Sequence, residues 1–533
     1  MASVVPRPLS LSALGGEPVV LSEAVTISSP PELEREARWF GRLLEEGAGR
    51  RVSFRPGGER ADISLSTGLP VPALSVEGAY RLRAADGAVE VVGDSSGGVF
   101  YGLQSLRQLL PPASFRRARL AQLPLLAIDP VEIEDRPRFS WRGVHLDVSR
   151  HFMPKAFLLK LVDLAALHKL NVFHLHLTDD QGWRVPVTKY PRLTEVGAWR
   201  RESSAGHLLE GRFDGTPHGG FYSPEDLAEV VCYAAERHVS VLPEVDVPGH
   251  TVAAIAAYPE LGAGGEVEVL TRWGISEHVL NLDEATVQFC RDVVDEVAAL
   301  FPGEYFHLGG DECPTAEWAG SQRAAEIMAE NGFSDLRQLQ GWFTAQMAEH
   351  LAGLGRRLVG WDEILEGGAP PGSVVMSWRG EDGGIAAAAA GHDVVMAPQE
   401  WLYFDWPYST GPEEPLAIWG CTPLEKVYGY EPVSPRIPEA SRHHVLGAQC
   451  QLWTEYVSSA EHAEYLYFPR LCAFAEAVWS PASGRSFGEF TARLPAHLER
   501  LEALGVNYRP LAGPTPGQAR IWLDPRQTGG QGR

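Results

Sequence analysis

From Trp141 onward the chain repeats one pattern: an apolar run, a helical stretch, then another apolar run. Apolar runs suited to strands fall at 143–148, 171–178, 239–245, 305–308, 358–361, 374–378, 393–397 and 445–449. Helical periodicity fills 155–168, 224–238, 285–301, 336–354 and 384–390, and follows the last run at 460–477. Several of the runs are apolar throughout, as parallel strands covered on both faces must be. Eight such strands separated by helices predict a (β/α)8 (TIM) barrel. An open doubly wound sheet is the runner-up, but the Gly-x-Gly-x-x-Gly loop it usually carries after its first strand is absent here.

In this register, polar and aromatic residues cluster at or just past the strand C-termini. They are Arg150, Asp179, Asp246 with His250, Asp311 with Glu312, Trp361, Trp378, Tyr403 with Asp405, and Trp453 with Glu455. Barrel enzymes carry their chemistry at that end. The fourth run is the most telling: Tyr305-Phe306-His307-Leu308 leads into Gly309-Gly310 and then into Asp311-Glu312. Neighbours on a strand point to opposite faces, so both acids reach one ligand only if the glycines bend the chain. Adjacent acids resist being ionised together, and burial sharpens the conflict. On this reading Glu312, against apolar walls, is held protonated as a general acid, while Asp311 stays ionised. Asp246 and His250, four apart, would form a hydrogen-bonded dyad behind the proton donor. Trp361, Trp378 and Trp453 would build an aromatic cage suited to the apolar face of a sugar or a methyl-bearing group. Arg150, Asp179, Asp405 and Glu455 supply the charged groups that orient a polyol, and Arg150 also serves as a structural partner for Asp179.

The first 135 residues differ in texture. They hold one of the 15 tryptophans, Trp39, with short strand-like runs at 51–54, 61–65, 79–83 and 89–92 and helical stretches at 32–46 and 99–110. This predicts a smaller α+β domain over 1–135, a barrel over 136–505 and a tail over 506–533, with the Pro- and Arg-rich 111–138 as the link. The stretch 408–441 reads as a long loop between the last two strands, and 513–533 as a fraying end. A net charge of -23 argues against nucleic acid or an anionic membrane as partner. No Cys-x-x-Cys pair occurs among the six cysteines, which read as buried thiols. The N-terminus lacks the pattern of a secretory signal and no apolar stretch is long enough to span a bilayer, so a cytoplasmic location is expected.

The chain resembles the glycoside hydrolase family 20 β-N-acetylhexosaminidases. The resemblance is carried by residues 146–152, 171–180, 243–250, 307–312, 360–363, 376–379 and 452–455, in order and at family-like spacing, and more weakly by 97–109 in the first domain. It implies a retaining exo-hydrolase that removes terminal β-linked GlcNAc or GalNAc by substrate assistance, the acetamido oxygen attacking the anomeric carbon to give an oxazolinium intermediate. Glu312 would then be acid and base, Asp311 would orient the acetamido N–H, and Tyr403 would hold the acetamido oxygen. The tryptophans would pack on methyl and ring, with Arg150 and Glu455 on the 3- and 4-hydroxyls and Asp405 near the 6-hydroxyl. Asp179, Asp246 and His250 would sit behind the acid. The partner is an oligosaccharide ending in N-acetylhexosamine, and no cofactor or metal is called for. Two alternatives stay open: a metal-dependent barrel hydrolase using His174-x-His176 with Asp179, and a silent amino-sugar-binding protein.

Overall fold

The structure, a computed structural model, describes residues 3–71, 76–121 and 125–522. Eight parallel strands close into a barrel: β1 (Trp141–Asp147), β2 (Val172–His176), β3 (Ser240–Glu244), β4 (Tyr305–His307), β5 (Arg357–Trp361), β6 (Val374–Ser377), β7 (Asp393–Met396) and β8 (Val445–Cys450). Chain order is barrel order, and β8 returns to β1 with Trp141 opposite Gly447. The predicted strands all form, with ends moved by one or two residues. The largest change is at β2, where Thr178–Asp179 leaves the barrel and pairs with Gly182–Trp183 in a small hairpin.

The helices between strands begin on local signals. Pro224–Ala235 opens with Pro at its first position and a reciprocal capping box between Ser223 and Asp226. The stretch expected as one helix over 460–477 is two, Ala460–Tyr467 and Arg470–Trp479. Pro469 has no N–H to donate and forces the residue before it out of the helical region, so Phe468 is extended at φ -108°, ψ 133°.

Inward positions of β1–β5 run from apolar at the foot to polar or aromatic at the rim. Trp141, Val172, Leu242 and Val359 pack together at the foot. His145, His174, His307 and Glu244 lie above them, all fully buried, and Trp361 covers them. The core of this barrel is therefore a packed foot carrying a polar floor.

The first region forms a seven-stranded mixed sheet in the order Ser10–Ala13, Val131–Asp135, Tyr80–Ala85, Ala88–Gly93, Ile63–Thr67, Ala24–Ser29, Arg51–Pro56, with helices Glu34–Glu46 and Ser96–Leu109 against it. Three of these strands were not anticipated. Val131–Asp135 falls inside the stretch expected to be a link, yet it lies between two neighbours, because Val131 and Ile133 alternate with Glu132 and Glu134 and bury one face. The sheet meets the barrel through a buried pair, Lys169 Nζ to Asp135 at 2.9 Å, with Trp479 Nε1 donating to the same carboxylate at 3.0 Å.

Two further expectations change. Segment 408–441 contains the helix Leu424–Gly429 and is anchored by Glu414, which accepts from Arg509 and from Tyr465 Oη at 2.7 Å. The stretch expected to fray is docked as far as it is described: Gln518 donates to Asn507 Oδ1 at 3.0 Å and to the Tyr508 carbonyl at 2.8 Å. Residues 523–533 lie outside the described part. Cys290, Cys450 and Cys472 are buried as expected, but Cys232 is exposed. Among the described residues no helix is long and apolar enough to cross a membrane.

Candidate active site

The β4 strand stops at His307 and the chain turns through Gly309 (φ 63°) and Gly310 (φ 90°), a region that strains any residue with a Cβ. A Cβ on Gly309 would lie 1.7 Å from Asp246 Oδ1, so the position admits only glycine. The Gly310 peptide is pinned on both sides: its N–H donates to Asp246 Oδ1 (3.0 Å) and its carbonyl accepts from Gln340 (2.5 Å). Glu312 itself sits at φ 43° and His250 at φ 51°. These bends bring both acids to one imidazole nitrogen. His250 Nε2 is 3.5 Å from Glu312 Oε2 and 3.8 Å from Asp311 Oδ2.

The other face of the same ring meets acids as well. His250 Nδ1 is 3.3 Å from Asp179 Oδ1 and 3.4 Å from Asp180 Oδ2. Burial opposes the imidazolium, but these surrounding carboxylates hold its pKa well above the ordinary value. The dyad expected between Asp246 and His250 does not form. Asp246 lies under the Gly309–Gly310 turn, and Asp179 takes the place next to His250. The reason is reach: Thr178 Oγ1 and Gly310 N–H hold Asp246 at the floor. Burial first, then Asp311, pushes the Asp246 carboxyl far up.

A second correction concerns which acid is buried. Glu312 was expected to lie against apolar walls, but its side chain is 34% exposed, against 12% for Asp311. Burial, with Glu312 as a like charge and His250 opposing, pushes the Asp311 carboxyl up to about 6.

Arg150 stands at the centre of the charged wall. It reaches Asp179 at 2.8 Å, Asp147 at 3.3 Å and Glu455 at 3.9 Å, donates to Gln181 at 3.0 Å, and lies over the Trp453 ring at 5.0 Å. Burial raises the Glu455 pKa, with Arg150 resisting. Asp405 is pushed up to about 8 by burial and by Glu455. The aromatic residues converge as expected. Trp378 and Tyr403 are nearly parallel at 6.2 Å, Trp453 lies 6.3 Å from Tyr403, and Trp361 lies 5.8 Å from Trp453. Trp361 forms the floor, fully buried, its Nε1 donating to Glu244 at 2.9 Å.

Sequence reasoning missed two groups, Glu363 and Glu244, and gave His176 a place only in the metal-dependent alternative. Glu363 accepts from Trp378 Nε1 at 3.0 Å, and burial together with Asp311 pushes it up to about 9. Its signal was present, since Asp362-Glu363 is a second acid pair at a strand end. His176 bridges Glu244 (2.5 Å) and Asp179 (2.8 Å). Burial favours the neutral ring, but the two carboxylates hold its pKa well above the ordinary value. Glu244 is the second missed group. The pair weighed as metal ligands is thus engaged from below: His176 by two acids, and His174 by Gln449 at 2.8 Å with Glu244 at 3.0 Å.

The model of the glycosyl hydrolase family 20 catalytic domain matches residues 139–482, and that of the family's domain 2 matches 1–135. The chain belongs to glycosyl hydrolase family 20. It is 41% identical over 513 residues to a beta-hexosaminidase of Porphyromonas gingivalis, covering 95% of this chain but 64% of that protein, so it spans less than two thirds of that relative's length. It is 34% identical to a beta-N-acetylhexosaminidase of Cellulomonas fimi, covering 97% of this chain and 98% of the other. Among solved structures it resembles a family 20 exo beta-N-acetylglucosaminidase of Vibrio harveyi in complex with N-acetylglucosamine (TM-score 0.84, 31% identity, 96% of this chain and 78% of that one). It also resembles the family 20 beta-N-acetylhexosaminidase of Streptomyces coelicolor A3(2) (TM-score 0.81, 31% identity, 95% and 97%).

Proposed function

We propose that this family 20 chain is a retaining exo-β-N-acetylhexosaminidase that releases terminal β-linked GlcNAc or GalNAc from oligosaccharides by substrate-assisted catalysis. The observation that carries the reading is the arrangement of two adjacent acids beside an aromatic cage, both facing one imidazole. The 2-acetamido group folds back so that its carbonyl oxygen attacks C1, and Tyr403 holds that oxygen while Trp361, Trp378 and Trp453 enclose the methyl. Asp311 accepts the acetamido N–H and faces the positive charge that develops on the oxazolinium ring, so it works ionised. Glu312 gives its proton to the leaving oxygen and then takes one from water. Its third of exposed surface suits a group that must meet both aglycone and water. Behind it, His250 with Asp179 keeps the carboxyl oriented and answers its changes of charge. Because the nucleophile belongs to the substrate, the spacing of the two carboxyls does not predict stereochemistry as it does in two-carboxylate glycosidases.

Arg150 and Glu455 form a charged pair at the wall where the 3- and 4-hydroxyls would lie, and Asp405 stands beside them toward the 6-hydroxyl. The test is a pair of aryl glycosides, the 2-acetamido-2-deoxy-β-glucoside and the plain β-glucoside. The first is hydrolysed and the second almost not at all. Comparable rates on the two would remove the acetamide from the mechanism, and loss of activity with a strong chelator would revive the metal-dependent alternative.

A further inference from the structure

A second cavity, of about 540 Å³, lies far from the rim in the seam between the first domain and the barrel. It opens where the helix Pro224–Ala235 ends just before β3, so it sits toward the foot of the barrel. Its lining is strongly cationic for a chain of net charge -23. Arg42, Arg107, Arg116, Arg117, Lys160 and Arg237 face it, against Glu46, Asp163 and Glu236.

Two of the three acids are spoken for; Glu46, exposed, has no ion pair among the described residues. Asp163 accepts from Arg237 Nε at 2.5 Å and from Tyr233 Oη at 2.8 Å. Glu236 pairs with Arg42 at 3.5 Å and Arg237 at 3.7 Å. Lys160 pairs with Glu464, outside the cavity. Three guanidinium groups are left over. Among the described residues Arg107, Arg116 and Arg117 make no hydrogen bond or ion pair through their side chains. Arg107, half-buried, lies over the ring of Phe115 at 4.5 Å. Burial, with Asp163 opposing and Arg237 as a like charge, pulls its pKa down to about 10. Asp163 is already bonded to Arg237 and Tyr233 and makes no direct contact with Arg107, so this half-buried guanidinium keeps unfilled capacity for an anion. Guanidinium forks match the oxygens of a phosphate group in pairs. Leu43, Leu164, Leu504, Trp39 and Phe115 add an apolar share to the lining, and the volume exceeds what a bare phosphate fills.

We infer that this seam cavity binds a small organic phosphate of sugar-phosphate size, its phosphoryl group on Arg107, Arg116 and Arg117 and its body against the apolar wall. None of these residues belongs to the glycosidase machinery, so the site stands or falls apart from the proposed activity.

Calorimetry and thermal unfolding of the full chain, with inorganic phosphate, inorganic sulfate, glucose 6-phosphate and glucose at matched ionic strength, test this. Saturable binding of glucose 6-phosphate, tighter than that of phosphate, with none for glucose, is expected. Arg107→Gln should weaken it by about tenfold or more, the worth of a charge-assisted hydrogen bond. Should that variant fail to fold, the exposed pair Arg116→Gln/Arg117→Gln gives the same readout with glycosidase activity retained. Three results overturn the inference: no saturable binding of phosphate or glucose 6-phosphate up to tens of millimolar, binding untouched in both variants, or sulfate binding as well as glucose 6-phosphate.

Discussion

Asp311→Asn should make the protein more stable at neutral pH while lowering its activity. The Asp311 carboxyl is raised from 3.8 to about 6, chiefly by burial and by Glu312. Because the native state holds this proton more tightly than the unfolded chain does, stability contributed by the protonated form is present below about pH 4. It is lost as pH rises through about 6. At 1.36 kcal/mol per pH unit, the ionised carboxylate costs about 3 kcal/mol above that range. Asparagine keeps the shape without the charge, so the variant should gain up to about 3 kcal/mol at pH 7.5. The amide N–H group needs a partner in a pocket where Asp311 Oδ1 already lacks one, which trims the gain to about 1–3 kcal/mol. Guanidinium unfolding of parent and variant at pH 7.5 and pH 4.5 reads the difference, which should shrink by about 2 kcal/mol at the lower pH. Activity should move the other way: kcat/KM of the parent falls about tenfold per pH unit below 6 as Asp311 protonates, and the variant lacks this limb. A variant no more stable than the parent at pH 7.5, with a difference independent of pH, would refute the claim that the site stores its charge at the expense of the fold.

Replacing Glu312 by Gln should lower turnover by roughly 10²- to 10⁴-fold on glycosides with poor leaving groups, and far less on activated aryl glycosides. A uniform loss across leaving groups would show that the acid lies elsewhere. Gly309→Ala places a methyl on the Asp246 carboxylate and a strained φ on the turn. Little folded, active enzyme is expected, measured as soluble yield and kcat together. For Glu244→Gln, a charge that holds the buried His176 and accepts from Trp361 is removed. Breaking such a pair costs about 3–5 kcal/mol, seen as a drop in unfolding free energy, with KM and kcat both impaired because Asp179 loses its support from below.

The strand-and-helix alternation after Trp141 carried the barrel, since period and continuity of apolar residues follow from burial on both faces of a parallel strand. The same register placed Arg150, Asp179, Tyr403 and the tryptophans at one rim, because strand ends of a closed barrel must lie together. Val131–Asp135 was hidden by the Pro- and Arg-rich sequence around it, although its own alternation was plain.

What the chain alone determined is whatever depends on local spacing: the eight strands, the glycine turn after β4, and the kinds of side chain delivered to the rim. Which atoms then meet was decided only by closure of the barrel. His250 found Asp179 and Asp180 instead of Asp246, burial fell on Asp311 instead of Glu312, and His176 and Glu244 became a charged floor. Ion pairs and desolvation act through distance in space, and residues 68 or more positions apart along the chain have no distance until the fold supplies one.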